Sequence, residues 1–110
     1  MTISRYEMYV ANLDPTVGSE IRKPHPVVVV SDDVMNKTLE TVTVVACPLT
    51  SKLHPAWRSR IQIECAGKPA EIAVDQIRTL SKHRLIKKLD KLASQDATLL
   101  RQLITEMYSE

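Results

Sequence analysis

The residues best suited to chemistry lie in the first half of the chain, close to positively charged side chains. Residues 14–24 form a loop with hydroxyl, carboxylate and basic side chains, and His25 follows it directly. An unperturbed imidazole titrates at about pH 6.5, so it can accept or donate a proton at neutral pH. Further along, Thr50 and Ser51 supply two hydroxyls beside Lys52. Such loops favour a nucleic acid ligand more strongly than the net charge of +2 does alone.

The basic residues fall into two groups with different interpretations. The first group lies beside the two loops and consists of Arg22, Lys23, His25, Lys52, His54, Arg58 and Arg60. The second group lies between Lys82 and Lys91, includes one acidic residue, Asp90, and fits a solvated charged surface. The first group is the better candidate for a site because hydroxyls and carboxylates accompany it.

These loops must be positioned by strands, which dominate the pattern up to residue 80. Residues 6–13 alternate, with Tyr6, Met8 and Val10 on one side, and residues 27–30 are β-branched on both faces. Residues 41–46 form a second β-branched strand, and residues 60–64 alternate as a half-exposed one. After a turn at residues 67–69, parity places Ala70, Ile72 and Val74 inward, and Glu71, Ala73 and Asp75 on the other face.

Helical signals are clearest in two places, and residues 84–92 are ambiguous because Leu85, Leu89 and Leu92 also fit a helix. Residues 32–40 fit one short helical turn, with a cap at Ser31-Asp32-Asp33. Ser94 is the predicted N-cap of a C-terminal helix, whose apolar stripe is Leu99, Leu100, Leu103, Ile104 and Met107. Strands joined by short turns and closed by one helix predict a mainly β (α+β) chain with a small, strongly bent sheet or partial barrel.

Composition limits the remaining possibilities. With 110 residues, the chain is long enough for one core, and we predict a single domain over residues 1–110. No segment approaches the about 20 apolar residues of a membrane span, so we expect a cytoplasmic protein that binds no membrane. Cys47 and Cys65 fit buried free thiols, and no His, Cys or Asp set has metal-ligand spacing. We therefore expect no metal and no other cofactor.

Three motifs, in order, resemble the MazF/PemK family of toxin endoribonucleases. They are residues 14–20 with the strand at residues 26–31, Pro48-Leu49-Thr50-Ser51-Lys52, and Asp75-Gln76-Ile77-Arg78-Thr79. The resemblance runs from Arg5 to Thr79 and more loosely through the C-terminal helix. It implies an SH3-like barrel of antiparallel strands (the CcdB/PemK-type fold). It also implies a homodimer and a MazE-like antitoxin with a flexible acidic tail.

The resemblance further implies sequence-specific, metal-independent cleavage of single-stranded mRNA. The 2′-OH attacks the adjacent phosphorus and leaves a 2′,3′-cyclic phosphate and a 5′-OH. Such a site needs a base, a stabiliser of the phosphorane charge and an acid. Carried over residue by residue, the catalytic candidates are His25, Thr50 and Glu20. The RNA-binding candidates are Ser19, Arg22, Lys23, Ser51, Lys52, Trp57, Arg58, Asp75 and Gln76.

One position departs from the family pattern. Family members typically carry an arginine before the proline that opens the second strand, and this chain has His25 there. Either the imidazole serves as acid or base while Arg22 and Lys23 supply the charge, or the nuclease is weak or inactive. The alternatives to an active nuclease are an RNA- or antitoxin-binding protein and a gyrase-poisoning toxin of the same fold. The three nuclease-type motifs disfavour the gyrase alternative.

Overall fold

The alternating segments form strands, and the apolar stripe near the C-terminus forms a helix. The computed structural model describes residues 2–13 and 24–109. Its strands are β1 (Glu7–Ala11), β2 (His25–Val29), β3 (Thr43–Thr50), β4 (Arg60–Cys65), β5 (Lys68–Ala73), β6 (Arg78–Ser81) and β7 (Leu85–Lys91). The helices are α1 (Asp33–Lys37) and α2 (Ser94–Tyr108), and short 3₁₀ helices cover Val74–Gln76 and Lys82–Arg84.

All strand pairs are antiparallel, and the sheet order is β4-β5-β3-β2-β1-β7. The long strand β3 bends the sheet because its two halves have different partners on one side. Its first half, Thr43–Ala46, pairs with β6, and its end, Leu49 and Thr50, pairs with β5. The predicted bent sheet with a C-terminal helix is therefore confirmed, and its form is a curled antiparallel half-barrel.

Apolar side chains fill both faces of the central strands. Val28 and Met8 belong to one buried cluster, which Leu100 of α2 completes. Val27 and Val29 belong to a second cluster on the opposite face, together with Tyr9. The prediction that residues 27–30 are buried on both faces is confirmed. The alternation placed Met8 on one side of β1 with Tyr6 and Val10. The opposite side is buried as well, because Tyr9 and Ala11 belong to the second cluster.

The predicted helices are present, with two corrections in α2. The N-cap is Ala93 rather than Ser94, which is the first helical residue, so no side chain caps this end. Leu99 is 51% exposed, whereas Leu100 is wholly buried, so the apolar stripe is narrower than predicted. Most of the ambiguous segment 84–92 forms strand β7, which follows the 3₁₀ turn at Lys82–Arg84.

A search of the described ranges for a helix long and apolar enough to cross a membrane found none.

The β4–β5 hairpin and the end of β3 together place polar side chains on one face of the sheet. Ala66 and Gly67 both have positive φ, at 52° and 79°, which is the geometry of a tight hairpin turn. This turn fixes the register in which Gln62 faces Glu71, and Glu71 in turn faces Thr50 across the β3–β5 pair. Side chains that face each other in register lie on the same side of a sheet. Thr50, Gln62 and Glu71 are thus neighbours.

Candidate active site

A cleft of about 490 Å³ opens beside this polar face at the end of β3, where Thr50 lines it. Its lining residues come from the segment after β1, the start of β2, the end of β3, the following loop, the start of β4 and the β5–β6 region. They are Leu13, His25, Pro48, Leu49, Thr50, Lys52, His54, Arg60, Ala73, Gln76 and Arg78. Residues far apart in the sequence meet here because β3 lies between β2 and β5 in the sheet.

Two of the predicted catalytic residues line this cleft. His25 is the exposed first residue of β2, where it pairs with Ala11 of β1. Thr50 is the half-buried last residue of β3, and its Oγ1 accepts a hydrogen bond of 3.1 Å from the backbone N–H of Lys52. The hydroxyl of Thr50 therefore caps the turn after β3 and keeps its own hydrogen for another acceptor. A threonine in this position can donate to an anionic oxygen in the cleft.

A wholly buried carboxylate, Glu71, lies beneath the cleft. Gln62 Nε2 donates to its Oε1 at 2.7 Å, and Arg60 Nη1 donates to its Oε2 at 2.6 Å. His54 contributes its backbone N–H to Oε1, and its Nδ1 lies 3.2 Å from Oε2. Burial alone raises the pKa of a carboxyl group, but these hydrogen bonds outweigh it and lower the pKa of Glu71 to about 2. Glu71 is therefore a permanent anion at neutral pH.

Glu71 and Asp75 hold the guanidinium of Arg60 between them. Arg60 Nε donates to Asp75 Oδ1 at 2.9 Å, while Nη1 contacts Glu71. The Arg60 side chain is only 6% exposed, so the guanidinium has little freedom to move. Within residues 2–13 and 24–109, Nη2 of Arg60 has no hydrogen-bond partner, and this atom is not among the fully buried ones. Arg60 thus presents one free amino group at the cleft.

An aromatic stack flanks this guanidinium. The ring centroids of His54 and Trp57 are 3.9 Å apart at an interplanar angle of 21°, and Arg60 Cζ lies 4.7 Å from the Trp57 ring. Arg60 Nη1 also lies 3.5 Å from His54 Nδ1. Groups on opposite faces of an indole would be too far apart for that contact, so both cover the same face. Trp57 is 50% exposed, and its other face is turned to solvent.

The other predicted site residues fall into three groups. Lys52 and Gln76 line the cleft with His25 and Thr50. Ser51 is exposed in the turn after β3, Asp75 is bonded to Arg60, and Arg58 lines a separate depression beside α2. Four predictions lie outside the described residues, namely Ser19, Glu20, Arg22 and Lys23.

The sequence interpretation placed His54 and Arg60 in the first basic group without giving either an individual role, and it assigned no site role to Glu71. Strand parity correctly placed Glu71 on the face opposite Ile72, but it gave no indication that Glu71 is buried there. A usable signal was present, because Glu71 is the one charged residue in the segment Ala70–Val74. Arg78 lines the cleft, and its Nη2 donates to the backbone carbonyl of Leu13 at 2.9 Å.

The sequence and the fold match one class of toxins. Residues 4–108 match the family of PemK-like, MazF-like toxins of type II toxin–antitoxin systems. A similar curated relative is the endoribonuclease MazF of Staphylococcus saprophyticus, which is 37% identical over 94 residues, covering 81% of this chain and 77% of the relative.

Solved structures agree at the level of the fold. MazF of Deinococcus radiodurans superposes with a TM-score of 0.80 at 19% identity, covering 100% of this chain and 99% of that chain. The toxin MazF-mt6 of Mycobacterium tuberculosis superposes with a TM-score of 0.75 at 17% identity, covering 93% and 95% of the two chains. The chain belongs to the PemK/MazF family of toxins, and its prediction as an endoribonuclease toxin is confirmed at the level of the family.

Proposed function

We propose that this toxin cuts single-stranded RNA at a short sequence motif without a metal ion. The proposal rests on one observation, that His25, Thr50 and the fixed guanidinium group of Arg60 lie in the same cleft. These groups match the needs of transphosphorylation by the neighbouring 2′-OH. In this reaction the O2′–P bond forms as the P–O5′ bond breaks, so the products are a 2′,3′-cyclic phosphate and a 5′-OH.

His25, Thr50 and Glu20 have distinct parts in the proposed reaction. His25 takes the proton of the 2′-OH or gives one to the departing O5′, since an imidazole can exist in either state at neutral pH. The Thr50 hydroxyl donates to a non-bridging phosphate oxygen, where negative charge grows in the transition state. Glu20 is the proposed partner for the other proton transfer, or holds the cation. Ser19, Arg22 and Lys23 are proposed to bind the phosphate backbone beside it.

Single strands are the proposed substrate because their bases can be reached. In an A-form duplex, the base edges lie in a deep, narrow major groove that side chains do not read. Lys52 and Gln76 line the cleft and would contact the strand there. Ser51 and Asp75 are each next in sequence to one of these residues, and Arg58, in its separate depression, would contact a more distant part of the strand. Because such RNA is translated in the cytoplasm, we expect the toxin to act there.

We predict cleavage of a long single-stranded RNA into discrete fragments in the presence of excess EDTA. The expected fragments end in a 2′,3′-cyclic phosphate and begin with a 5′-OH. The matched control is Thr50→Val, prepared identically, because it keeps the side-chain shape and removes the hydroxyl. It should cut only at background level, which separates the toxin from a contaminating nuclease.

Three outcomes would contradict parts of this proposal. Loss of cleavage in EDTA, with recovery on adding a divalent ion, would exclude the metal-independent reaction. Random degradation would exclude a sequence motif. Tight RNA binding without any cleavage would favour the second candidate, an RNA-binding protein whose nuclease activity is lost because His25 replaces the family's arginine.

We also propose a homodimer whose RNA groove is covered by a MazE-like antitoxin. Solved relatives include MazE–MazF complexes of Deinococcus radiodurans, one of which has a TM-score of 0.83 at 19% identity to this chain. The acidic tail of the antitoxin would lie over the basic loops and block His25 and Thr50. A two-fold arrangement would double the basic groove.

Light scattering of the pure toxin should give the mass of a dimer at micromolar concentration. Addition of the antitoxin should stop cleavage, and its affinity should fall as salt is raised, because salt screens paired charges. A monomer would contradict the dimer. An antitoxin that binds without inhibiting, or with an affinity independent of salt, would contradict the covering tail.

A further inference from the structure

We propose that Glu71 anchors a nucleotide subsite in which the free face of Trp57 stacks on a base and Arg60 Nη2 contacts the adjoining phosphate. The inference rests on the proposed function, since it names where an RNA strand is held. Glu71 is a positioning residue here, because it acts through Arg60 and His54 and touches no ligand itself.

The first argument is the cost of burying Glu71. A carboxylate with no exposed surface loses its hydration, and well-packed apolar side chains usually stabilise a fold at least as well. In this chain the Glu71 carboxylate is charged, and it accepts hydrogen bonds from three residues, Arg60, Gln62 and His54. Two of these donors line the cleft. The buried charge therefore sets the position of the groups that face a ligand.

The second argument is the unequal use of the Arg60 guanidinium. Nε and Nη1 are bonded to Asp75 and Glu71, which fixes the plane of the group. Within the described part of the chain, Nη2 has no partner, although this side chain lines the cleft. A rigid guanidinium with one open N–H edge suits a phosphate oxygen, and little entropy is lost when it binds.

The third argument is the open face of Trp57. His54 and Arg60 cover one face of the indole, while half of the Trp57 surface stays exposed. Two backbone hydrogen bonds hold the loop, from Trp57 N–H to His54 O at 3.0 Å and from Arg60 N–H to Trp57 O at 3.3 Å. An exposed, braced aromatic ring beside a cation has the chemistry of a single-stranded nucleotide site, which offers a flat base and an anionic phosphate.

The chain provides its own probe, because Trp57 is the sole tryptophan. The dimer would be titrated with a 2′-O-methyl oligouridine 10-mer, which lacks the attacking hydroxyl and so stays uncut. A 10-mer of the same backbone without bases serves as the matched ligand. We expect the oligouridine to quench Trp57 fluorescence. The abasic strand should bind about 5- to 150-fold more weakly and quench little, since base stacking depends on the base.

Two variants test the anchor. Arg60→Lys and Glu71→Gln should each weaken oligouridine binding and reduce the quenching. Arg101→Lys on α2 and Glu64→Gln on the exposed side of β4 should not. Circular dichroism checks that each variant is folded, and if Glu71→Gln is not, Arg60→Lys carries the test because it leaves the buried carboxylate in place.

Equal binding and quenching by the two strands would overturn the subsite. So would wild-type affinity in both Arg60→Lys and Glu71→Gln. Because the probe is not cleaved, this result is independent of the reaction. If the wild-type toxin does not cleave RNA but oligouridine still quenches its Trp57 fluorescence, the proposed function is contradicted and the subsite is still supported.

Discussion

Replacing His25 with alanine is expected to lower the rate of RNA cleavage by about 10²–10⁴-fold, the usual effect of losing an acid–base group. His25 is exposed at the start of β2 and lines the cleft with Thr50, so a substrate can reach its ring. The loss should appear in the rate constant of cleavage measured under single-turnover conditions. Binding of the uncleavable oligouridine should change much less, because the imidazole acts on the proton of the reacting hydroxyl.

A histidine outside the cleft provides the matched control. His83 is also exposed, and it lies beside a different depression, near Lys82 and Thr38. His83→Ala should cleave at the wild-type rate. An unchanged rate in His25→Ala would show that position 25 only opens the strand, and a joint loss in both variants would indicate damage to the fold.

The variant His25→Arg distinguishes two roles for this position. If the site needs only a positive charge there, arginine should retain or raise activity, because a guanidinium stays charged across the neutral pH range. If the imidazole transfers the proton, His25→Arg should be as slow as His25→Ala, because a guanidinium does not release its proton in a protein.

Much of the fold could be predicted because each strand carries a local signal. The β-branched run at residues 27–30 and the alternation of Ile61 and Ile63 are visible without knowledge of any partner. The ends of α2 were less certain. The serine at position 94 has the right chemistry for a cap, yet the chain turns into the helix one residue earlier, at Ala93. Such boundaries depend on the preceding β7 as much as on the residue itself.

The site was predictable only in part, because half of it depends on contacts between distant segments. Thr50 and His25 stand out by type and by their motifs. The role of Glu71 depends on the loop after β3, which folds back so that His54 donates to a carboxylate 17 positions further along the chain. Strand parity assigns a side chain to a face, but it does not say whether a loop covers that face. A charged residue between apolar neighbours, as in Ala70–Ile72, is the signal in the sequence that corresponds to this buried charge.

Removal of the Glu71 carboxylate is expected to reduce the free energy of unfolding by about 3 kcal/mol. Loss of one partner from a buried ion pair costs about 3–5 kcal/mol, because the other charge is left without compensation. The lower end applies to Glu71→Ala, since Asp75 still contacts Arg60 at 2.9 Å. Glu64→Ala, at an exposed position on the neighbouring strand, should change the value by less than about 0.5 kcal/mol. Urea unfolding at pH 7, followed by circular dichroism, measures both.

The same carboxylate should make stability depend on pH in a defined direction. The pKa of Glu71 is about 2 in the folded chain against an ordinary value of 4.5, so the unfolded chain binds more protons between these limits. Stability from this group is therefore fully present above about pH 5 and is lost as the pH falls toward 2. The pKa values of Glu7 and Asp75 are also lowered, so the wild type alone does not isolate Glu71.

The comparison with Glu71→Gln removes that ambiguity. Glutamine keeps the shape of the side chain and cannot titrate, while the other carboxylates remain. The difference in unfolding free energy between the wild type and Glu71→Gln should be largest near neutral pH and should shrink as the pH falls below about 4.5. A difference that stays constant down to pH 2.5, or that grows as acid is added, would mean that Glu71 is not held as an anion by Arg60, Gln62 and His54.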